Sequence, residues 1–113
     1  MSDEYQIEVP PSFYALYTDA RQRLTEPLRV VRDRYEACED LANHLVDHAR
    51  TLLFQLGVTE DDVLERCLRG LDTPESGVSG PEARWVVHRL AELLGWPFLP
   101  DPAKDAGNTG NEA

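Results

Sequence analysis

Between Pro27 and Gly57 the chain reads LRVVRDRYEACEDLANHLVDHARTLLFQL, and this stretch decides the fold. Leu28, Val31, Tyr35, Cys38, Ala42, Leu45, Ala49, Leu52 and Leu56 recur at alternating steps of three and four. That spacing lines up one face of an α-helix. No glycine or proline interrupts it. The pattern predicts a single helix over about residues 27–56, roughly 45 Å long, which would be the spine of a small domain. Pro27 is harmless in a first helical turn, where its missing N–H has no partner to lose, and Thr25 is the cap candidate before it. Gly57 can adopt the left-handed conformation that ends a helix. Around the wheel, Asp33, Glu36, Asp40, His44 and Asp47 fall opposite the apolar seam, so they face outward. Cys38, Ala42 and Ala49 are small and let another helix approach closely. The predicted neighbour is a helix of the same chain, with a homodimer as the alternative.

Three further helices follow from the same logic. Residues 1–11 are polar and end in Pro10-Pro11, which favours an extended N-terminal segment. Ser12 then suits the N-cap of a first helix running to about Leu24, with Phe13, Leu16, Tyr17, Ala20 and Leu24 on one face. Thr59 followed by Glu60, Asp61 and Asp62 places a capping hydroxyl and three acids at the positive end of a third helix. Val63, Leu64, Cys67, Leu68 and Leu71 are its apolar face. DTPESGVSG, residues 72–80, reads as a flexible connector. Pro81 restarts a fourth helix whose buried face is Ala83, Val86, Val87, Leu90 and Leu94, and Gly95 stops it. Trp96-Pro97-Phe98-Leu99-Pro100 is expected to fold back on the core, because its large rings would otherwise be exposed. DPAKDAGNTGNEA, residues 101–113, has nothing to bury and reads as a disordered tail. The expected architecture is all-α: one domain over residues 12–100, four helices in an orthogonal or bundle-like arrangement, and one long central helix.

A chain of 113 residues with 42% hydrophobic content makes one modest core. Its formal charge of −10 and pI of about 4.6 oppose nucleic acid and anionic lipid and favour a protein partner with a basic surface. Arg21, Arg23, Arg29, Arg32 and Arg34 form a local basic cluster, expected to pair with the nearby Asp19, Glu26, Asp33 and Glu36. MSDEYQIEV at the start lacks the apolar run of a secretory signal, and no stretch approaches the ~20 apolar residues of a membrane helix. Cys38 and Cys67 sit on apolar helical faces, as reduced cytosolic thiols do. The expected location is cytoplasmic.

Enzymatic motifs are missing from these residues. Lys104 is the only lysine, and there is no GxxxxGK[ST], no GxGxxG and no CxxC. Ser2, Ser12, Ser76 and Ser79 fall in caps or loops, none in a nucleophile elbow. No cofactor is implied. The one constellation with ligand spacing is His44-Leu45-Val46-Asp47-His48, two imidazoles one helical turn apart, with Asp40 a turn earlier. It resembles an inverted zinc-protease motif with aspartate in place of glutamate. A metal site on His44, His48 and Asp40 is therefore the alternative function. Catalysis is disfavoured, because hydrolytic zinc needs a dry cavity and these residues face outward. For protein contact, Tyr14, Tyr17, Trp85 and Trp96 are the candidate anchors, since amphipathic rings are favoured at interfaces. Partial burial in the core is the competing expectation for these rings.

VPPSFYALY, RYEACEDLA, LGVTEDDVLER and EARWVVHRLAELLGWP together resemble a group of small bacterial proteins commonly labelled "ATPase with chaperone activity". The similarity spans about Val9 to Pro97. It implies association with a chaperone or its ATPase, with this chain as an accessory, because the phosphate-binding glycines and lysine of the usual ATPases are missing. No site residue is carried over from the resemblance. The function expected from the sequence is a non-enzymatic helical interaction module.

Overall fold

A computed structural model describes residues 8–97. The expected tail, the sequence before Glu8 and the Phe98-Leu99-Pro100 part of the fold-back lie outside the described residues. The long apolar seam does form one uninterrupted helix, α2, Leu28–Leu56. At ~1.5 Å per residue it is about 43 Å long, close to the 48 Å longest extent of the described residues. Gly57 ends it at φ 66, with its amide on the Leu53 carbonyl at 3.0 Å. That left-handed geometry is nearly free for glycine and costly for other residues. The N-terminal end differs from expectation. Pro27 itself is the cap position, and no side chain caps the helix. Thr25 instead turns back, its amide and hydroxyl both donating to the Tyr17 carbonyl at 2.7 and 3.2 Å. With no side-chain cap and no first-turn acid, α2 depends on its buried seam rather than on its ends.

The seam is covered from within the chain. Val31, Cys38, Ala42 and Ala49 are fully buried, whereas Leu28 and Leu56 at the two ends are exposed. α3, Glu60–Leu71, and α4, Gly80–Leu94, supply the opposing surfaces through Val63, Leu64, Ala83, Val86, Val87 and Leu90. Arg34 lies beside Glu82 and Glu39 beside Arg89, so α4 runs parallel to the first half of α2. Alanine and cysteine on α2 opposite valine and leucine on α4 let these backbones come close without leaving voids.

α3 begins as its sequence predicts. Thr59 Oγ1 accepts the Asp62 amide at 3.1 Å, and Glu60, Asp61 and Asp62 occupy the first turn. The connector is not loose, contrary to its composition. Pro74–Ser76 form a 3-10 turn, Ser76 Oγ donates to the Thr73 carbonyl at 2.9 Å, and it accepts the Val78 amide at 3.2 Å. Ser79 then opens α4 with a reciprocal cap. Its hydroxyl accepts the Glu82 amide at 3.1 Å, and Glu82 Oε1 accepts the Ser79 amide at 3.0 Å.

The first helix is much shorter than its periodicity predicts. α1 is Pro11–Tyr14, followed by a 3-10 turn, Ala15–Tyr17. Beyond Tyr17, the Asp19 carboxylate accepts the amides of Arg21 and Arg23 at 2.8 and 2.9 Å, and Gln22 is left-handed at φ 66. An aspartate that binds its own downstream amides offers the backbone an alternative to helix, and here it wins. The loop closes in an isolated antiparallel bridge between Thr18 and Leu24. Ser12 caps nothing; it sits inside α1 and accepts the Trp85 indole N–H at 2.9 Å. Phe13, Leu16, Tyr17 and Leu24 still reach the core, but Ala20 is exposed. Among the described residues the fold is therefore all-α, with four helices and α2 as the spine.

Candidate interaction groove

Two polar clusters tie α4 to α2, and a groove opens beside them. The inner cluster centres on Glu82, 2% exposed and the one charged residue among the buried described residues. Arg34 grips its carboxylate in a bidentate pair, Nε to Oε2 at 3.0 Å and Nη2 to Oε1 at 2.8 Å. The Tyr17 hydroxyl donates to the same Oε2, and Arg34 Nη2 also donates to the Gly77 carbonyl at 2.9 Å. One carboxylate thus joins the Tyr17 turn, α2, the connector and α4. Burial by itself would raise its pKa, but hydrogen bonds from Arg34, Tyr17 and the Ser79 amide outweigh burial and hold it at about 2. Burial, then the adjacent carboxylate, pushes Tyr17 up to about 12. Hydrogen bonding to Glu82 makes the Arg34 cation still harder to deprotonate. The groups are satisfied by one another, so the cluster is an anchor without a spare proton to move.

The outer cluster lies about two turns further along α4. Arg89 holds Glu39 in a second bidentate pair, with both bonds at 2.9 Å, and reaches Glu92 at 3.1 Å. The Arg89 hydrogen bond lowers the Glu39 pKa, and Glu39 in turn stabilises the Arg89 cation. Between and above these pairs four rings pack together. Phe13 is fully buried, with Trp85 edge-on at 5.1 Å, Tyr35 edge-on at 5.6 Å and Tyr17 tilted at 5.8 Å.

On the outer side of Trp85 and Tyr35 is a groove of about 1050 Å³ between the segment Glu8–Ser12 and α4. Its apolar walls are Val9, Pro10, Pro11, Leu16, Tyr35 and Trp85; its polar lining is Glu8, Glu39, Arg84, His88, Arg89 and Glu92. Arg84 makes no ion pair among the described residues, whereas Arg89 is already committed to Glu39 and Glu92. Pro10 holds the start of the N-terminal wall extended, at φ −66 and ψ 152, and Pro11 opens α1. The indole–Ser12 hydrogen bond fixes that wall to α4.

Of the four aromatic anchors predicted from sequence, Trp85 lines this groove. Tyr14 does not line it, although it is half-buried against the core. Tyr17 is engaged inward on Glu82. Trp96 packs on the core, its amide on the Ala91 carbonyl at 3.0 Å. The basic cluster pairs locally only in part: Arg23 reaches Asp19, but Arg34 goes to Glu82, distant in sequence. His44, His48 and Asp40 are all exposed, and His44 Nδ1 lies 2.9 Å from the Asp40 backbone carbonyl. No three or more His, Cys, Asp or Glu side chains gather as a metal site among the described residues. Both cysteines are buried and free, and burial raises both thiols, Cys38 to about 12. No helix among the described residues is long and apolar enough to cross a membrane.

Comparison with protein-family models, with curated proteins and with solved structures finds no match for this chain.

Proposed function

We propose that the chain is a non-enzymatic helical interaction module, an adaptor or accessory that receives an extended segment of a protein partner in the groove beside Trp85. The groove carries the reading: it joins an apolar floor of Trp85, Tyr35 and Leu16 to charged rims. Pockets of that composition give affinity through the floor and orientation through the rim. The fitting partner is a protein with an apolar, extended stretch flanked by basic side chains, given the chain's charge of −10 and the acid Glu8 on the rim; Glu92 is already held by Arg89. Such a role agrees with the accessory place that the sequence resemblance implies, beside a chaperone or its ATPase in the cytoplasm.

The test is site-specific photocrosslinking. A photoreactive residue replacing Glu92 on the groove rim should capture one stoichiometric protein, and the same residue replacing Phe54, 88% exposed on α2, should not. The purified partner should then bind the native chain and lose roughly tenfold or more in affinity to Trp85→Ala. Equal capture from both positions, or unchanged affinity in Trp85→Ala, removes the groove from the function.

A further inference from the structure

We propose that the outward face of α2 pairs with the same face of a second copy of this chain, antiparallel, around Phe54. This ring is 88% exposed, more than any other large apolar side chain among the described residues. At ~100° per residue, Asn43, Asp47, Arg50 and Phe54 fall within about 60° of one another, and all four are exposed. They stand on the far side of α2 from the buried Cys38, Ala42 and Ala49, the seam that α3 and α4 cover. Neither Asp47 nor Arg50 makes an ion pair among the described residues. One exposed ring and one pair of opposite charges therefore share a straight, open helix face.

Turned end for end, this face complements itself. With a two-fold axis level with the step from His48 to Ala49, Asp47 of each copy lies opposite Arg50 of the other. The same register sets Phe54 opposite Asn43 of the second copy, with the His44 imidazole beside it, and Asp40 opposite Gly57. Each contact occurs twice, as a two-fold interface requires. Asn43 is folded onto its own helix, its Nδ2 donating to the Glu39 carbonyl at 2.8 Å, which leaves space for the ring. Sliding the helices by three residues opposes Arg50 to Arg50 in one direction and Asp47 to Asp47 in the other, so the charges fix the register. The overlap from Asp40 to Gly57 is about 26 Å long, and a helix pair of that length makes a transient interface, below about 1,200 Å². The charge of −10 on each chain also opposes association. The dimer is accordingly weak and forms in concentrated protein.

Sedimentation velocity of the full chain at rising concentration tests this. The native chain should form a dimer with a Kd on the order of 100 µM, and Phe54→Ser should weaken it roughly tenfold or more. Asp47→Arg and Arg50→Asp should each weaken it by a similar factor, because like charges then face each other. An equimolar mixture of those two variants should recover native strength, and so should the double variant Asp47→Arg/Arg50→Asp. Far-ultraviolet dichroism should be the same for all, since the three positions are exposed. A chain that stays monomeric to about 1 mM, ten times that Kd, overturns the proposal. So does undiminished association of Phe54→Ser, or a mixture no tighter than its components. In protein concentrated to this range, a photoreactive residue replacing Phe54 should join the chain to residues 40–47 of a second copy, and a join elsewhere overturns the register. At the dilution of a lysate capture, far below the Kd, the same residue captures nothing. The groove beside Trp85 draws Tyr35 and Glu39 from the other half of α2, so neither result bears on it.

Discussion

Replacing Glu82 by glutamine probes the interaction that organises the fold. The carboxylate is 2% exposed and satisfied by Arg34, Tyr17 and the Ser79 amide. Folding lowers its pKa from an ordinary 4.5 to about 2. At ~1.4 kcal/mol per pKa unit, that shift is worth about 3 kcal/mol of stability at neutral pH. Glutamine keeps the shape and one acceptor oxygen but removes the charge, leaving Arg34 without its anion. The expected loss of about 3 kcal/mol is a large share of the 5–15 kcal/mol typical of a domain, and it lowers the melting temperature by about 15 °C. The sign of the pH dependence follows from a depressed acid. The contribution is complete above the unfolded value of 4.5 and disappears as pH falls through about 2. The gap between the native chain and Glu82→Gln should therefore shrink to less than half by about pH 3. Urea titrations followed by circular dichroism, at neutral pH and down the acid limb, measure both quantities. A neutral-pH difference below about 1 kcal/mol, the worth of a surface pair, would refute the reasoning, and so would a difference that persists unchanged in acid.

Tyr17→Phe removes one donor to Glu82 and should cost about 1–2 kcal/mol by the same titration. The native phenol, raised from 10.0 to about 12, keeps its stabilising contribution below pH 10 and loses it as pH climbs through about 12; ultraviolet titration of the native chain against Tyr17→Phe should show that one late-ionising phenol. Gln22→Gly relieves a left-handed non-glycine residue and should stabilise the chain by about 0.5–1 kcal/mol, and a decrease would contradict the loop geometry. Cys38 and Cys67 should react with a thiol reagent no faster than the chain unfolds, because both are buried and their thiolates are disfavoured. Rapid labelling of either in native conditions would count against the packing described.

Where a segment's conformation depends on its own residues, it could be read directly. The alternating seam from Val31 to Leu52, the Gly57 stop, the Thr59 cap with its three acids, and the buried face of α4 all rest on spacing and chain chemistry within a turn or two. The failures mark the places where distant partners compete for the same groups. The first helix stops at Tyr14 because Asp19 captures downstream amides and Thr25 reaches back to Tyr17, although the apolar period runs on. A Ser-x-x-Glu signature at Ser79 and Glu82 was present as a capping box, but only the tertiary structure shows that the same glutamate is the hub for Arg34 and Tyr17, 48 and 65 residues away. The groove beside Trp85 likewise belongs to neither of its walls alone. It exists because the segment around Pro10 and the start of α1 lies against a helix from the far end of the sequence, tied there by the Trp85–Ser12 hydrogen bond, and no local pattern carries the distance between them.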